Sequence, residues 1–213
     1  MYIIYVNDTE TTGTDPVKND IIELSMGRVI ISDSNKITID QKTWHMAPIN
    51  PSNIENEALA INGYKREDIL LQTEYGRNTF KSAKDVVPQV ELWMNEDDSS
   101  VYDRLFVGHN APFDSNFMLN TWDKTGNKSS FPFDVTNGNR ILDTKQIIMF
   151  IDLCTGKRRK FYNLGSCVKS FGVKKGKAHK AEEDVKMTID LLLKALIPVR
   201  EIIGKQFMNC YAD

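Results

Sequence analysis

The chain has 213 residues, 41% of them hydrophobic and 26% charged, and a formal net charge of -2. These values exclude an intrinsically disordered chain, a collagen and a coiled coil, and they fit a globular protein, for which we expect one domain over residues 1–213. The whole-chain charge gives no indication of a nucleic-acid partner.

The cysteines and the apolar runs indicate the compartment. Cys154, Cys167 and Cys210 lack the C-x-x-C spacing, which argues against a disulfide framework and a thiolate zinc site, so we expect three buried thiols. The N-terminal sequence lacks the features of a signal peptide, and no apolar run approaches the roughly 18 to 20 residues of a membrane span. The sequence therefore predicts a soluble cytoplasmic protein, or one that acts in a host's cytoplasm, with no membrane partner.

The first part of the chain predicts a three-stranded antiparallel meander. Alternating β-branched and aromatic residues predict strands at 2–6, 21–31 and 37–46. Residues 52–60 then predict a short helix that ends at Asn62-Gly63.

The rest of the chain predicts alternating helices and strands. A helix over 80–94, which Pro88 delays or kinks, precedes a strand at 105–108 and a helix over 113–122. Residues 123–140 then predict a loop that is an insertion or a flexible flap, followed by a strand edge with helical pieces within 141–153 and 161–171. The last element is an amphipathic helix over 181–196, which Pro198 kinks or restarts before a final piece to about Met208. Strands first, followed by alternating elements, predict a mixed α/β fold.

The first polar cluster follows the first strand and has the sequence Asp8-Thr9-Glu10-Thr11-Thr12-Gly13. Residues i and i+2 of a strand share a face, so we expect Asp8 and Glu10 to present neighbouring carboxylates. Unpaired carboxylates raise each other's pKa, and a divalent cation between them removes the repulsion. The cluster thus indicates a metal site, although Asp, Thr and Gly also form ordinary acidic turns.

Two further clusters lie where predicted helices begin. In Gly108-His109-Asn110-Ala111-Pro112-Phe113-Asp114, the last carboxylate projects toward the strand ends or acts as an ordinary helix N-terminal acid. In His179-Lys180-Ala181-Glu182-Glu183-Asp184, the first and last side chains lie about one helical turn apart and can reach one pocket. Each cluster alone also has a structural explanation, so only their combination indicates a shared site.

Asp8, Glu10, Asp114, His179 and Asp184 have the order, local context and spacing of the three motifs of the DEDDh, or DnaQ-like, 3′-to-5′ exonucleases. The chain resembles that family from Asp8 to its last helix. The resemblance implies an α/β RNase H-like fold, in which helices flank a central mixed sheet made of an antiparallel meander and parallel strands. It also implies a 3′-to-5′ exonuclease that releases nucleoside 5′-monophosphates.

The resemblance further implies a role for each of the five residues. Two Mg²⁺ ions, roughly 4 Å apart in such sites, would be bridged by Asp8, with Glu10 and Asp184 on the nucleophile-side ion and Asp114 holding the second mainly through water. His179 would take the proton of the attacking water as general base, the role for which imidazole is suited near neutral pH. The all-oxygen ligand set favours magnesium, with manganese as a substitute, over zinc.

Contacts with the terminal nucleotide are expected beside this site. The resemblance assigns Thr11, Thr12 and Gly13 to the terminal-nucleotide pocket. Ile61 is the candidate for an apolar wedge against the terminal base. Asn110 and Phe113 match the second motif and are candidate substrate contacts, although Phe113 also fits a packing role.

Charge is distributed unevenly along the chain. Residues 157–180, Lys177 among them, include nine lysines and arginines and no acidic residue, which leaves -11 on the remainder. A basic segment that ends at the candidate general base indicates contact with a phosphate backbone, although charge runs are also found on solvated faces.

The preferred substrate is the 3′ end of single-stranded DNA. Two alternatives remain open: an exoribonuclease of the RNase T type that trims RNA 3′ ends, for which a homodimer would supply the basic segment in trans, and a proofreading subunit that acts with a separate polymerase. The sequence does not separate them, because such a site needs only to tolerate or reject a 2′-hydroxyl.

Overall fold

A computed structural model describes residues 2–32, 36–135, 140–176 and 179–207. The strands are β1 (Tyr2–Thr11), β2 (Ile21–Ile31), β3 (Ile37–Ala47), β4 (Lys81–Ser82), β5 (Arg104–Gly108) and β6 (Ile141–Asp143). They form one mixed sheet with the order β4-β3-β2-β1-β5-β6. The first three strands are antiparallel, whereas β5 runs parallel to β1 and β6 parallel to β5. The predicted mixed sheet, with its meander and parallel strands, is confirmed.

Strand β1 extends five residues beyond its predicted end at Val6. It does so because β2 pairs with it along the polar segment, with Glu10 opposite Glu23, before a register shift between Glu10 and Thr11. Hydrogen bonds to the neighbouring strand therefore hold acidic residues in an extended backbone that their own propensities do not favour.

Eight helices surround the sheet in the described ranges. They are α1 (Asn56–Asn62), α2 (Arg66–Ile69), α3 (Glu74–Thr79), α4 (Ala83–Asn95), α5 (Ala111–Thr125), α6 (Thr144–Thr155), α7 (Leu164–Ser170) and α8 (Ala181–Phe207). As predicted, α1 ends at Gly63, whose φ of 75° lies in the left-handed region that glycine adopts without strain. Helices α2 and α3 are too short to give a periodic signal and were not predicted.

The two faces of the sheet have separate cores. Helices α4 and α5 cover one face with a cluster of buried aromatic side chains, including Tyr5, Trp93 and Trp122. Helix α8 covers the other face, where Val185 and Ile189 pack against residues of β1, β2 and β5. The C-terminal end of β1 is thus held between both layers.

Two predicted irregularities differ from the structure. Helix α8 continues through Pro198 without an interruption. The hydrogen bond that this proline cannot donate belongs to an exposed turn, where water can satisfy the free carbonyl. The described part of the 123–140 loop, to residue 135, is not a flexible flap, because Phe131 and Phe133 are buried in the core, with Phe133 edge-on to Phe106 at 5.1 Å between ring centroids.

The expectation of three buried thiols is wrong for one of them. Cys167 is buried, Cys154 is exposed on α6, and Cys210 lies outside the described residues, as does the predicted helix end at Met208. In the described ranges, no helix has the length and hydrophobicity that crossing a membrane requires.

Candidate active site

The first carboxylates project from the C-terminal end of β1. Asp8 is partly buried and Glu10 is buried. Burial and then the charges of Asp114, Asp184 and Glu10 hold the pKa of Asp8 well above its usual range. Three segments that are distant in sequence therefore meet at this strand end, as the sequence predicts.

Asp114 enters the site from the first turn of α5. Both the backbone N–H and the hydroxyl of Thr9 donate to Asp114 Oδ1, each at 2.9 Å. Burial raises the pKa of Asp114 to about 7, although the two hydrogen bonds from Thr9 oppose the increase. The approach is close, since a Cβ on Gly108 would lie 2.9 Å from Ala111 Cα and 3.3 Å from Asp114 Oδ2.

Glu10 has a second buried acid as its neighbour. Burial, and then the charges of Glu23 and Asp184, raise its pKa to about 8. Glu23 lies opposite Glu10 on β2, is 3% exposed and accepts a hydrogen bond from the Tyr64 hydroxyl. Glu23 was not predicted as a site residue, although a single acid within the apolar run Ile21-Ile22-Glu23-Leu24 is a signal that could have found it.

Asp184 and His179 come from the start of α8. The His179 backbone, with a φ of 60°, turns so that its N–H donates to Asp184 Oδ2 at 3.2 Å. Burial raises the pKa of Asp184, and the His179 N–H opposes this. The exposed His179 side chain, Glu10 and Asp184 each offer a ligand atom, and these three atoms lie within 4.8 Å of one another.

The segment before α8 is anchored to the sheet side of the site. The Lys180 ammonium lies 3.8 Å from the centroid of the Tyr64 ring, a distance at which a cation–π contact is favourable. The Gln41 side chain donates to the Glu182 carbonyl at 2.8 Å. These two contacts restrict the backbone that carries His179.

The site combines high negative charge with little internal compensation. Across the ranges that the structure describes, none of Asp8, Glu10, Asp114 and Asp184 forms an ion pair with a lysine or arginine. Uncompensated carboxylates in a buried setting repel each other and favour protonation or a bound cation. Oxygen-rich groups of this kind suit hard divalent cations.

The residues expected at the terminal nucleotide have different surroundings. The Thr11 hydroxyl donates to the Gly13 carbonyl, and the fully buried Thr12 hydroxyl accepts from the Asp20 N–H. Both hydroxyls are thus used within the chain. Ile61 is 61% exposed, beside Asn62, whose amide donates to the Thr11 carbonyl at 3.1 Å.

The remaining candidate contacts are also internal in part. A Cβ at Gly13 would come within 2.4 Å of the Asn19 side chain, so this glycine has a packing reason. Phe113 packs on Phe117 at 4.8 Å between ring centroids, whereas Asn110 is exposed. Lys177 lies outside the described residues.

A pocket of about 390 Å³ opens beside the carboxylates and is lined by Asp8, His109, Asn110, Lys145, Phe161, Tyr162, Asn163, Leu164 and Asp184. His109 fixes one wall, because its two ring nitrogens bond with the Thr144 hydroxyl at 2.9 Å and the Tyr162 carbonyl at 2.8 Å. Of the residues that line this pocket, Lys145, Phe161 and Tyr162 were not predicted as site residues. The aromatic pair directly after four consecutive basic residues was the available signal.

Comparison with known proteins gives a family match. Residues 5–192 match the model of the RNase T family, which is described as an exonuclease. The chain is 26% identical over 201 residues to the PolC-type DNA polymerase III of Staphylococcus aureus, an alignment that covers 94% of this chain and 12% of that protein. It is 27% identical over 133 residues to ribonuclease T of Haemophilus influenzae, which covers 62% of this chain and 56% of that enzyme.

Solved structures give the same fold. Exonuclease I of Escherichia coli in complex with a dT13 oligonucleotide superposes with a TM-score of 0.71 at 14% identity, over 100% of this chain and 44% of that one. Exonuclease I from Methylocaldum szegediense has a TM-score of 0.70 at 15% identity, over 96% of this chain and 43% of that one. The chain therefore spans less than half of these enzymes.

Proposed function

The chain belongs to the RNase T exonuclease family, and we propose that it removes nucleoside 5′-monophosphates from the 3′ end of single-stranded DNA. The observation that carries this proposal is the meeting of four carboxylates, without an ion pair in the described ranges, beside His179 and an open pocket. Hydrolysis of a phosphodiester needs an activated water and positive charge near the phosphate, and this site provides ligands for both needs.

We propose Mg²⁺ as the cofactor, with two ions and with Mn²⁺ as a substitute. Asp8, Glu10, Asp114 and Asp184 would hold them, since all four offer oxygen ligands and since burial, together with neighbouring acids, raises their pKa values, an effect that a bound cation would counteract. Bound ions of this kind neutralise charge on the phosphate and lower the pKa of a bound water.

The chain's own residues supply the proton transfer and the positioning. His179 acts as general base toward the attacking water, from a position within 4.8 Å of Glu10 and Asp184 ligand atoms. Its backbone N–H orients Asp184, and Thr9 orients Asp114 through two hydrogen bonds. Each acid is thereby held in one arrangement before substrate binds.

Two lines of evidence support a single-stranded substrate. Exonuclease I, which shares the fold, has been crystallised with a dT13 oligonucleotide. The basic segment 157–180 borders the pocket through Phe161 to Leu164. RNA is the alternative, because one relative is ribonuclease T, and a homodimer that supplies the basic segment in trans goes with this alternative. A separate polymerase as a partner is a further proposal, which the relationship to a PolC-type polymerase motivates.

The proposal is tested by digestion of 5′-labelled single-stranded DNA and RNA of matched sequence with Mg²⁺, resolved to single nucleotides. Wild type should shorten the strand from its 3′ end, and His179→Ala should slow this by about 10²- to 10⁴-fold, the range for loss of a general base. Asp123→Asn is the matched control, since this acid is exposed and pairs only with Lys128 in the described ranges. A wild-type protein that shortens neither strand with Mg²⁺ or Mn²⁺ would contradict the proposal.

A further inference from the structure

An exposed apolar surface lies on α6, outside the carboxylate site. Met149, Phe150 and Leu153 are 46%, 66% and 78% exposed, although such side chains are usually buried. With Lys157 and Tyr162 they line a second pocket of about 380 Å³. A patch of this kind, bordered by charged residues, is typical of a binding surface.

This surface is continuous with the candidate active site. Tyr162 lines both the α6 pocket and the pocket that contains Asp8 and Asp184. Phe161, which is 57% exposed, lines the carboxylate pocket directly beside it. The two pockets therefore adjoin at Tyr162, and we call the surface that they line together the α6 groove, which extends from the carboxylates past Phe161 and Tyr162 to Leu153 and Lys157.

Beyond the carboxylates, the charged side chains that line the α6 groove are basic. Lys145 lines its carboxylate end, and Lys157 lines its far end. The Lys160 ammonium lies 5.3 Å from the centroid of the Phe161 ring. Between Asp152 and Glu182 the sequence has no acidic residue, and Asp152 itself is buried and paired with Arg159.

Exposed aromatic rings interleaved with basic side chains are the combination that binds single-stranded nucleic acid, since unpaired bases stack on the rings and phosphates meet the cations. A second copy of this chain fits the groove less well, because it would have to bring acidic groups to the same surface. We infer that the α6 groove binds the single strand upstream of the scissile bond, with bases against Phe161 and Phe150 and phosphates near Lys145 and Lys157. This inference rests on the proposed function for the position of the 3′ end at the carboxylates.

The consequence is a preference for unpaired strands that is independent of the terminal-nucleotide pocket. Bases in a duplex have no free face for Phe161 or Phe150, so a paired segment cannot occupy the groove. Several nucleotides upstream of the 3′ end must then be single-stranded for tight binding.

The test measures binding of a 5′-fluorescein-labelled dT12 strand by anisotropy in EDTA, where no hydrolysis takes place. Phe161→Ala should raise the Kd about tenfold, since stacking on one aromatic ring contributes roughly that much. Lys157→Glu should weaken binding and reduce its dependence on salt. Leu92→Ala and Lys84→Glu, at exposed positions of α4 on the opposite face of the sheet, are the matched controls and should bind like wild type.

A second substrate separates this inference from the proposed function. The p-nitrophenyl ester of thymidine 5′-monophosphate has no upstream nucleotide, so its hydrolysis by wild type with Mg²⁺ tests the carboxylate site without the groove. If wild type leaves the ester intact but dT12 binding still depends on Phe161, the proposed function fails and the groove stands. Unchanged dT12 affinity in both Phe161→Ala and Lys157→Glu would overturn the inference that the groove binds the strand. It would also be overturned if light scattering showed that these variants lose dT12 affinity because they change from dimer to monomer.

Discussion

Ionisable groups are buried toward both ends of β1, but in opposite surroundings. At Tyr5, the Arg104 guanidinium is 2% exposed and donates to Asp97 Oδ1 at 2.9 Å and to the Met94 carbonyl at 3.1 Å. The Tyr5 hydroxyl donates to the same carboxylate. Burial alone would raise the pKa of Asp97, but the hydrogen bonds from Arg104 and Tyr5 hold it below its usual value.

Three residues further along the strand, Asp8 has no such partner among the residues that the structure describes. Its neighbours are acids, and its pKa is raised by burial and by their charges. The comparison teaches that burial of charge alone does not indicate function. What distinguishes the two ends is whether the chain itself provides the opposite charge, and a buried cluster without one is a site for an external cation.

The largest expected effect is that of Asp8→Asn on activity. We expect at least a thousandfold lower rate of 3′ digestion, since loss of a proposed metal ligand would remove several kcal/mol of transition-state stabilisation. The melting temperature in EDTA should nevertheless increase, because one source of repulsion is removed. A variant with a lower melting temperature than wild type in EDTA would show that Asp8 stabilises the fold, and this would contradict the repulsion between Asp8 and its acidic neighbours.

The converse change is Arg104→Ala, at the paired end of the strand. Removing one partner of a buried ion pair leaves a buried charge uncompensated, so we expect a loss of about 3 to 5 kcal/mol in the free energy of unfolding, measured with urea. The specific activity of the remaining folded protein should stay near wild type. Arg104→Lys, which keeps the charge but not the planar fork, should recover part of the lost stability.

The two ends also differ in their dependence on pH. The pKa values of Glu10 and Asp114 are raised to about 8 and about 7, so the folded protein holds protons that the unfolded chain releases near pH 4. Stability present at low pH is then lost as pH rises through 7 and 8. Thermal unfolding in EDTA should therefore occur at lower temperature at pH 8 than at pH 5, and Mg²⁺ should reverse this difference. Glu10→Gln should reduce the slope of the melting temperature against pH. An equal slope in wild type and Glu10→Gln would contradict the assignment.

The smallest effect on activity is expected at Tyr64, which contacts both an acid and a base at the acidic end of the strand. Tyr64 donates to Glu23 and carries Lys180 on its ring. Tyr64→Leu should lower kcat on the p-nitrophenyl ester about two- to fivefold through loss of the cation–π contact that restrains His179. Tyr64→Phe keeps the ring and should fall between Tyr64→Leu and wild type, and a KM change without a kcat change in Tyr64→Leu would argue against positioning.

Much of the fold was predictable because its signals are local. The strands of the meander and the apolar stripe of α8 follow from side-chain periodicity alone. The extension of β1 through Glu10 was not predictable in this way, since it depends on pairing with β2. Phe131 and Phe133 were missed for a related reason, because an isolated aromatic residue in a polar loop carries no period that indicates burial.

The residues of the candidate site also differ in whether their signals are local in the sequence. The five motif residues could be identified, because each lies in a recognisable cluster, and the structure brings their segments together. Glu23 was missed: its place within an apolar run marks it as unusual, but only the strand register puts it opposite Glu10. The hydroxyls of Thr11 and Thr12 were expected near substrate, and their internal hydrogen bonds depend on turns that the sequence does not specify.

The order of the carboxylates along the chain has a consequence for biosynthesis. Strand β1 is synthesised before α8, which carries Asp184 and follows all six strands of the described sheet. Long-range contacts of this kind form late, when most of the chain is available. A chain that ends before α8 therefore has all six strands but lacks the Asp184 carboxylate, so that the proposed metal site is incomplete until α8 has been made.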